Sequence, residues 1–240
     1  MTKLYPQIFT RKSVRKYRAD KLSQDACEKV LDLLGATKPL DGAQPLRGEL
    51  KQAGEVRGLF LVKAPQYLCL YGDKGANSLI SAGYSAQQLV LTLNANGISS
   101  CYLGAAKPSR RGGDYLMALA LGYAAEAPLR TSEQQFRRKP LSEVTDIEGI
   151  EDIARAVRLA PSAVNSQPWF LTGDRSEIAV CRKTGLGQVF LQRLNEFDMG
   201  IALCHLEIAA LHAGLAVKLR VGGTGRAPRG YVCTASASIK

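Results

Sequence analysis

The stretch Ala160-Pro161-Ser162-Ala163-Val164-Asn165-Ser166-Gln167-Pro168-Trp169 follows the end of a predicted helix and carries no charged side chain. Its two prolines restrict the backbone, and its Ser, Asn and Gln side chains offer hydroxyl and amide groups for hydrogen bonds. A rigid polar loop of this kind can bind the edge of a planar ring, although its composition alone favours an ordinary turn. The loop becomes informative only together with a second segment.

That second segment is Arg11-Lys12-Ser13-Val14-Arg15, near the start of the sequence. Because side chains alternate along an extended chain, Arg11, Ser13 and Arg15 would lie on one side. Two guanidiniums and a hydroxyl on one side suit a phosphate or another anion. Taken alone, a basic run such as this one is more often a solvated surface.

Together the two segments resemble the nitroreductase family of flavoproteins, which carries a basic R-x-S-x-R motif and a P-S-x-x-N-x-Q-P-W loop. The stretches 120–128 and 137–141 are similar to a strand and a basic tail of that family, and the helix with Gly83 and the strand ending at Leu103-Gly104 also fit. The resemblance covers most of the chain. It implies an α+β, nitroreductase-like fold with a mixed, mostly antiparallel sheet and long central helices.

The order of the two motifs is unusual for this family. In its common pattern the polar loop follows the basic motif within about one helix, and each FMN lies between two subunits that donate these motifs to each other. Here the corresponding stretch, 35–46, has lost the Ser and the Asn, and the intact loop comes roughly 150 residues after the basic motif. The second half in turn lacks an R-x-S-x-R motif. Because the two losses are complementary, the resemblance implies an intrachain pseudo-dimer with one composite FMN site.

Two repeated patterns indicate an internal duplication. The stretches 83–97 and 200–214 each contain a long apolar helix between glycines 14 positions apart, and a strand follows each of them. Gln44-Pro45 also echoes Gln167-Pro168. We therefore predict two related halves that form one compact unit, residues 1–141 with the phosphate-binding motif and residues 142–240 with the polar loop.

Hydrophobic periodicity and turn residues outline the elements of each half. In the first half we predict a helix capped by Ser23 and ended by Gly35, a loop over 36–56, strands at 59–62 and 67–71, a long helix over 77–96, and strands at 98–103 and 116–123. In the second half we predict a helix face from 150 to 157, a hairpin of 169–172 and 177–181, a long helix over 198–213, and strands at 215–221 and 230–235.

The resemblance also implies roles at the composite site. Arg11 and Ser13 would hold the FMN phosphate with Arg138 or Arg137, and Arg15 would reach the pyrimidine edge of the flavin, where a cation raises the redox potential. The predicted cofactor-binding residues are Arg11, Lys12, Ser13, Arg15, Leu103, Gly104, Arg137, Arg138, Pro161, Ser162, Ala163, Asn165 and Gln167.

From the other half, the loop residues 161–165 would line the ring and the ribityl chain, whereas Gln167 and Trp169 would fix the loop. The backbone at Leu103-Gly104 would face the reactive nitrogen of the flavin. In this family the flavin carries the chemistry, so no catalytic side chain is predicted. Cys101 is interpreted as a buried thiol, and His205 and His212 as core or interface groups.

Composition limits the remaining possibilities. The 240 residues are 46% hydrophobic and 22% charged, which is ordinary for a globular chain that can bury a core. The net charge of +11 attracts anions, but without a zinc-finger or RNA-binding signature we expect no nucleic-acid partner. Six scattered cysteines and two histidines argue against a metal site and favour reduced thiols in a cytoplasmic protein. The uncharged stretch 76–106 holds too many polar residues for a membrane span, and no signal peptide is evident, so we expect no membrane partner.

The leading hypothesis is an oxidoreductase. NAD(P)H would donate hydride to one FMN per chain, leave, and be replaced by a small acceptor such as a nitroaromatic or a quinone. A fused pair of halves could be monomeric. Three alternatives stay open: a flavin-binding protein for storage or sensing, a specialised flavin redox enzyme on the same scaffold, and a binder of other anions or nucleic acid.

Overall fold

The computed structural model describes residues 1–40, 42–110, 113–223 and 225–240. Asp41, which belongs to the predicted loop over 36–56, lies outside the described residues.

Each half of the chain contributes helices and strands in a similar order. The first half contains α1 (Tyr5–Thr10), α2 (Gln24–Gly35), β1 (Arg47–Gln52), β2 (Val56–Gly58), β3 (Gln66–Tyr71), α3 (Ala76–Ala95), β4 (Ser99–Leu103), β5 (Ala106–Pro108) and β6 (Tyr115–Gly122). The second half contains α4 (Glu151–Arg158), β7 (Trp169–Gly173), β8 (Glu177–Lys183), α5 (Gln192–His212), β9 (Val217–Val221) and β10 (Tyr231–Ile239).

Each half builds a four-stranded antiparallel sheet, and the two sheets share one topology. Their strand orders are β1-β3-β6-β4 and β7-β8-β10-β9, so in both sheets the fourth strand along the chain lies between the second and the third. A separate two-stranded ribbon pairs β2 with β5. Within the described parts of the chain, parallel pairing is limited to the single bridges Ser13–Ser100 and Thr145–Leu171. The predicted α+β fold with mostly antiparallel strands is confirmed, and its strands form two four-stranded sheets and a two-stranded ribbon instead of one sheet.

The two long helices cross at a pair of glycines. A Cβ atom placed on Gly83 of α3 would lie 1.9 Å from the carbonyl oxygen of Phe197, and one on Gly200 of α5 would lie 1.8 Å from that of Ile80. Residues 80 and 197 are separated by the same 117 positions as residues 83 and 200. The crossing is therefore reciprocal, as in an isologous contact between two identical subunits.

The halves share one hydrophobic core. A continuous apolar cluster contains Leu68 and Leu119 from the first sheet, Leu171 and Val180 from the second, and most of the buried faces of α3 and α5. Both helices are covered on nearly all sides. This agrees with their sequences, which are apolar with little helical periodicity in hydrophobicity, as is typical of buried helices.

Three predictions about helices and strands are wrong. The predicted loop over 36–56 contains β1, whose polar sequence suits an edge strand paired on one side only. The predicted strand over 59–62 is irregular, and its Phe60 is 90% exposed. The second long helix begins at Gln192 and not at residue 198, because buried polar residues such as Asn195 disguise its first turns.

Candidate active site

A cavity of about 740 Å³ lies where segments of both halves meet. This volume is within the range of roughly 300–1,000 Å³ that small-molecule sites occupy. The cavity is bordered by the N-terminal arm, β4, the basic segment 130–138, the loop 161–165 and α5. Ten of the thirteen predicted site residues line it: Arg11, Ser13, Arg15, Gly104, Arg137, Arg138, Pro161, Ser162, Ala163 and Asn165.

The other three predicted residues lie outside the cavity lining. Lys12 extends its Nζ to the carbonyl oxygen of Ala127, 3.2 Å away. Leu103 is buried in a small apolar cluster against the first sheet. Gln167 is also buried, and its side chain is used inside the loop, accepting a hydrogen bond from the Lys139 amide at 2.9 Å and donating one to the Asn165 carbonyl at 3.1 Å.

Arg11 places a buried cation at one end of the cavity. Its side chain is 3% exposed, and its Nη1 donates to Oγ of Ser13 at 3.2 Å, while its buried Nε has no hydrogen-bond partner. Burial, with the positive charges of Arg130 and Arg138 nearby, lowers the pKa of Arg11 to about 9. Among the residues that the structure describes, no carboxylate forms an ion pair with Arg11.

Arg138 brings a second guanidinium to the same end. Its Nη1 donates to Oδ1 of Asn165 at 2.7 Å, its Nη2 donates to the carbonyl oxygen of Leu159 at 3.2 Å, and its buried Nε has no partner. Burial, with Arg130 and Arg158 as positive neighbours, lowers the pKa of Arg138 to about 10. One buried and one half-buried guanidinium, neither paired with a carboxylate among the described residues, favour an anion that offers several acceptor oxygens.

The polar loop is held in an unusual backbone conformation. Val164, Asn165 and Gln167 have φ angles of 47°, 58° and 46°, in the left-handed region that L-residues rarely adopt. The Gln167 amide donates to Oγ of Ser162 at 2.9 Å, and Nδ2 of Asn165 donates to the Arg137 carbonyl at 2.8 Å. These bonds tie the loop to the basic segment and offset the backbone strain, so a set of polar groups is fixed before any ligand arrives.

Sequence reasoning missed Asp198 on α5. This side chain is 3% exposed, lines the cavity, and accepts a hydrogen bond on Oδ2 from the Ala163 amide at 2.9 Å. Burial raises the pKa of Asp198 to about 8, although the bond from Ala163 acts in the opposite direction. A comparison of the two long helices, aligned at Gly83 and Gly200, would have pointed to this residue, because only the second helix has an acid at this position.

Tyr102 also lines the cavity and begins a buried chain of hydrogen bonds. Its hydroxyl lies 3.1 Å from Oε1 of Gln87, whose Nε2 lies 2.8 Å from Nε2 of His205, and Nδ1 of His205 lies 2.8 Å from the Ala156 carbonyl oxygen. A carbonyl only accepts, so Nδ1 of His205 carries the proton and Nε2 accepts from Gln87. Burial lowers the pKa of His205 to about 3, which keeps the ring neutral.

The remaining predicted groups are placed as follows. Cys101 is a buried thiol at the cavity wall, and burial raises its pKa, as expected for an unreactive cysteine. His205 is a core residue as predicted, whereas His212 is exposed and stacks on the ring of Tyr5 with centroids 3.8 Å apart. The other lining residues are Ala105, Met117, Arg130, Gln135, Val164, Leu191, Leu194, Phe197 and Ile201.

Within the described ranges, the structure contains no cluster of three or more side chains that could hold a metal ion. In the same residues, no helix has both the length and the apolar character to cross a membrane.

The structure is an α+β fold with two sheets of the same topology, and residues from the chain's two halves line one cavity of about 740 Å³. The sequence model of the family described as "Putative TM nitroreductase" matches residues 3–210. The chain belongs to this nitroreductase family.

One solved structure shows the same fold over nearly the whole chain. A structure described as a "putative nitroreductase" from Thermotoga maritima is 20% identical, with a TM-score of 0.70, and the match covers 98% of this chain and 92% of that one. A nitroreductase family protein from Clostridium difficile is 22% identical over 60% of this chain and 95% of its own, with a TM-score of 0.47. The FMN-dependent nitroreductase of Mycobacterium smegmatis, solved with NADPH, is 16% identical over 54% of this chain and 94% of its own, with a TM-score of 0.38. A search of curated proteins gives no match.

Proposed function

We propose that this chain binds one FMN in the cavity and transfers hydride from NAD(P)H, by way of the flavin, to a small acceptor such as a nitroaromatic or a quinone. The observation that carries the proposal is the pair of neighbouring guanidiniums of Arg11, which is buried, and Arg138, which is half-buried. Both line a cavity large enough for a cofactor, and neither is paired with a carboxylate among the described residues. Membership of the nitroreductase family supports the redox activity.

The basic end fits a phosphate group. A phosphate monoester has three strong acceptor oxygens, and arginine donates to such oxygens in a fixed fork. Arg11, Ser13 and Arg138 would hold these oxygens, with Arg130 and Arg137 adding positive charge. Binding would add hydrogen bonds to both guanidiniums and raise the lowered pKa of Arg11 and Arg138.

The rest of the cavity suits a flat ring. Met117, Phe197 and Ile201 provide apolar walls, and the loop 161–165 provides hydroxyl and amide groups at the edge. The exposed guanidinium of Arg15 would approach the pyrimidine edge of the ring. Bound FMN would supply the two-electron carrier that the side chains lack. The chain's own contribution would be to bind the phosphate, orient the ring and limit access of water.

We further propose that the chain is its own pseudo-dimer, with halves at 1–141 and 142–240. The equal sheet topologies and the reciprocal crossing of Gly83 and Gly200 support this arrangement. The cavities beside the first half's stretch 35–46 measure about 180 and 610 Å³. The smaller is well below the size of most small-molecule sites, and the larger is lined by first-half residues, among them the acids Glu49 and Asp114. We therefore expect one FMN per chain in a monomeric protein, and the six unpaired cysteines favour a cytoplasmic location.

The visible spectrum of the purified protein, with the released cofactor identified and counted, tests this proposal. One FMN per chain, bleached by NADPH or NADH and restored by a quinone, is the expected result. Two per chain would contradict the single composite site. A flavin that no nicotinamide reduces would indicate a storage or sensing protein, and a colourless protein that does not take up FMN would indicate a binder of other anions.

Arg11→Ala and Asn165→Ala should each lower FMN retention, because Arg11 contributes to the phosphate end and Asn165 holds Arg138 in place. Lys12→Ala is the matched control, since Lys12 neighbours Arg11 but lies outside the cavity lining. Full occupancy in both site variants would contradict the composite site.

A further inference from the structure

Among the described residues, Asp198 is the only acidic side chain that lines the large cavity. The other charged residues in the lining are arginines. Its carboxyl is buried, yet none of the ion pairs between described residues includes it. Its one hydrogen bond within the same set is the bond from Ala163 to Oδ2. Because this buried carboxyl pairs with no arginine, charge balance does not explain why an acid lies at this position.

The duplicated half shows that the loop does not need a carboxyl at this position. When the two long helices are aligned with an offset of 117 positions, Ser81 corresponds to Asp198. Oγ of Ser81 accepts a hydrogen bond from the Leu40 amide at 3.0 Å, as Oδ2 of Asp198 does from Ala163 at 2.9 Å. A hydroxyl is therefore sufficient to hold a loop against this helix. The carboxyl is found only in the half whose loop lines the large cavity.

Asp198 lies close to β4 and to the residues that follow it. Leu194, one helical turn earlier on α5, packs on Gly104, where an added Cβ would lie 3.1 Å from its side chain. Burial is the main cause that raises the pKa of Tyr102, two residues before Gly104, and the residue is also within electrostatic reach of Arg11, which lowers this pKa, and of Asp198, which raises it slightly. Asp198 thus lies near the wall formed by Tyr102 and Gly104.

The surroundings of Asp198 favour the protonated acid. Burial raises its pKa to about 8, so the carboxyl is mostly neutral at pH 7, and because Oδ2 accepts from Ala163, the proton is expected on Oδ1. Its helical neighbour Glu196 faces Arg182 of β8, with 3.7 Å between charged atoms. The other titratable groups around the cavity are Tyr102 and Cys101 of β4 and the arginines 11, 15, 130, 137 and 138.

We propose that Asp198 is a catalytic acid that donates a proton to the acceptor reduced in this cavity. This inference rests on the function proposed above. Reduction of a quinone to a hydroquinone adds two electrons and two protons. A hydride from the nicotinamide donor, passed on by way of the flavin, supplies both electrons and one of the two protons. Asp198 supplies the other proton. The O–H bond of Asp198 breaks as an O–H bond forms on the acceptor, and the carboxylate then takes a proton from water.

The test compares wild type with Asp198→Asn and Asp198→Ser. Asn keeps an oxygen for the Ala163 amide but has no proton to transfer, and Ser reproduces the arrangement at Ser81. Both variants should keep FMN and its reduction by NADPH, while reoxidation by a quinone at pH 7 slows about 100-fold, within the range for loss of an acid catalyst. The wild-type rate should fall above about pH 8, and the variants should lose that dependence.

A second readout does not depend on turnover. Infrared difference spectra of the purified protein should show a protonated carboxyl that titrates near pH 8 in wild type and is missing in Asp198→Asn. Ser81→Ala is the matched control: it removes the corresponding loop bond in the first half and should change neither the titration nor the pH profile.

The outcomes separate the two proposals. Unchanged quinone reduction in Asp198→Asn, or a carboxyl already ionised at pH 6, would overturn the catalytic acid and leave the proposed function intact. A wild-type protein that binds no FMN, or whose FMN is not reduced by a nicotinamide, would overturn the proposed function and this inference together.

Discussion

Gly83 and Phe197 meet where the two long helices cross, and a Cβ on residue 83 would lie 1.9 Å from the Phe197 carbonyl oxygen. Because the opposing atom belongs to the backbone, no rotamer change can relieve the clash. We expect Gly83→Ala to lower the free energy of unfolding by about 3 kcal/mol, at the upper end of overpacking effects. Urea denaturation measures this change. Gly35→Ala is the control, since nothing lies within 4 Å of the added Cβ. Equal stability of both variants would contradict the close crossing.

Inorganic phosphate should stabilise the FMN-free protein through Arg11. A ligand that binds only the folded state adds about 1.4 kcal/mol at ten times its Kd. Thermal unfolding with and without phosphate should therefore show a higher Tm in wild type and in Lys12→Ala. Arg11→Ala should lose most of this response while remaining at least as stable without phosphate, because it removes a buried, unpaired charge. The same phosphate response in all three proteins would place the anion elsewhere.

Asp198 should make the protein less stable as pH rises. Its pKa in the folded state is about 8, against roughly 4 in an unfolded chain. Between these values the folded state holds the proton more tightly, so stability is greatest below about pH 4 and falls as pH approaches 8. Across this window, the free energy of unfolding of Asp198→Asn should rise relative to that of wild type by up to about 1.4 kcal/mol per pH unit. Urea titrations of the FMN-free proteins at pH 5, 6.5 and 8 measure the gain, and a constant difference would contradict the raised pKa.

His205 should have the opposite pH dependence. Burial lowers its pKa to about 3 in the folded state, against about 6.5 in the unfolded chain. Its destabilising effect is therefore absent above about pH 6.5 and grows as pH falls toward 3. His205→Gln introduces the amide that the first half carries at Gln88, the corresponding position in the duplication. The variant should resist acid unfolding better than wild type. Equal midpoints in an acid titration followed by circular dichroism would show that His205 does not limit acid stability.

Replacing Val164 with glycine should stabilise the protein. It is 82% exposed and has a φ of 47°, so its branched side chain contributes little burial and strains the backbone. Left-handed backbone costs a non-glycine residue roughly 1–2 kcal/mol, part of which the greater freedom of unfolded glycine cancels. We expect Val164→Gly to gain about 0.5 kcal/mol in chemical denaturation. Exposed Val189, which has no positive φ, provides the control, because Val189→Gly should bring no gain.

Much of the fold could be predicted from sequence because its central elements are strongly patterned. The long helices ended by Gly97 and Gly214, and the hairpin after Trp169, follow from apolar runs and turn glycines. Edge strand β1 was missed, because its exposed polar side chains carry no apolar alternation. An edge strand is defined by its neighbour's hydrogen bonds, and local sequence does not record them.

The candidate site was predictable where a motif carried it. The basic arm and the polar loop line the cavity as the motifs suggested, although Lys12 and Gln167 serve other contacts. Arg130 was hidden in a stretch that resembles a linker, and Asp198 in a helix that is otherwise apolar. Their importance depends on which segments meet in space, and a single sequence shows this only through the comparison of its own two halves.

The crossing of α3 and α5 also has a consequence for synthesis of the protein. The residues that meet there, Gly83 with Phe197 and Ile80 with Gly200, lie 114 and 120 positions apart, and the cavity is lined by residues from 11 to 201. A nascent chain that ends before α5 therefore displays the apolar surface of α3 to chaperones on the ribosome. Binding of the proposed cofactor would then be a late event, which follows synthesis of nearly the whole chain, and these long-range contacts would slow folding.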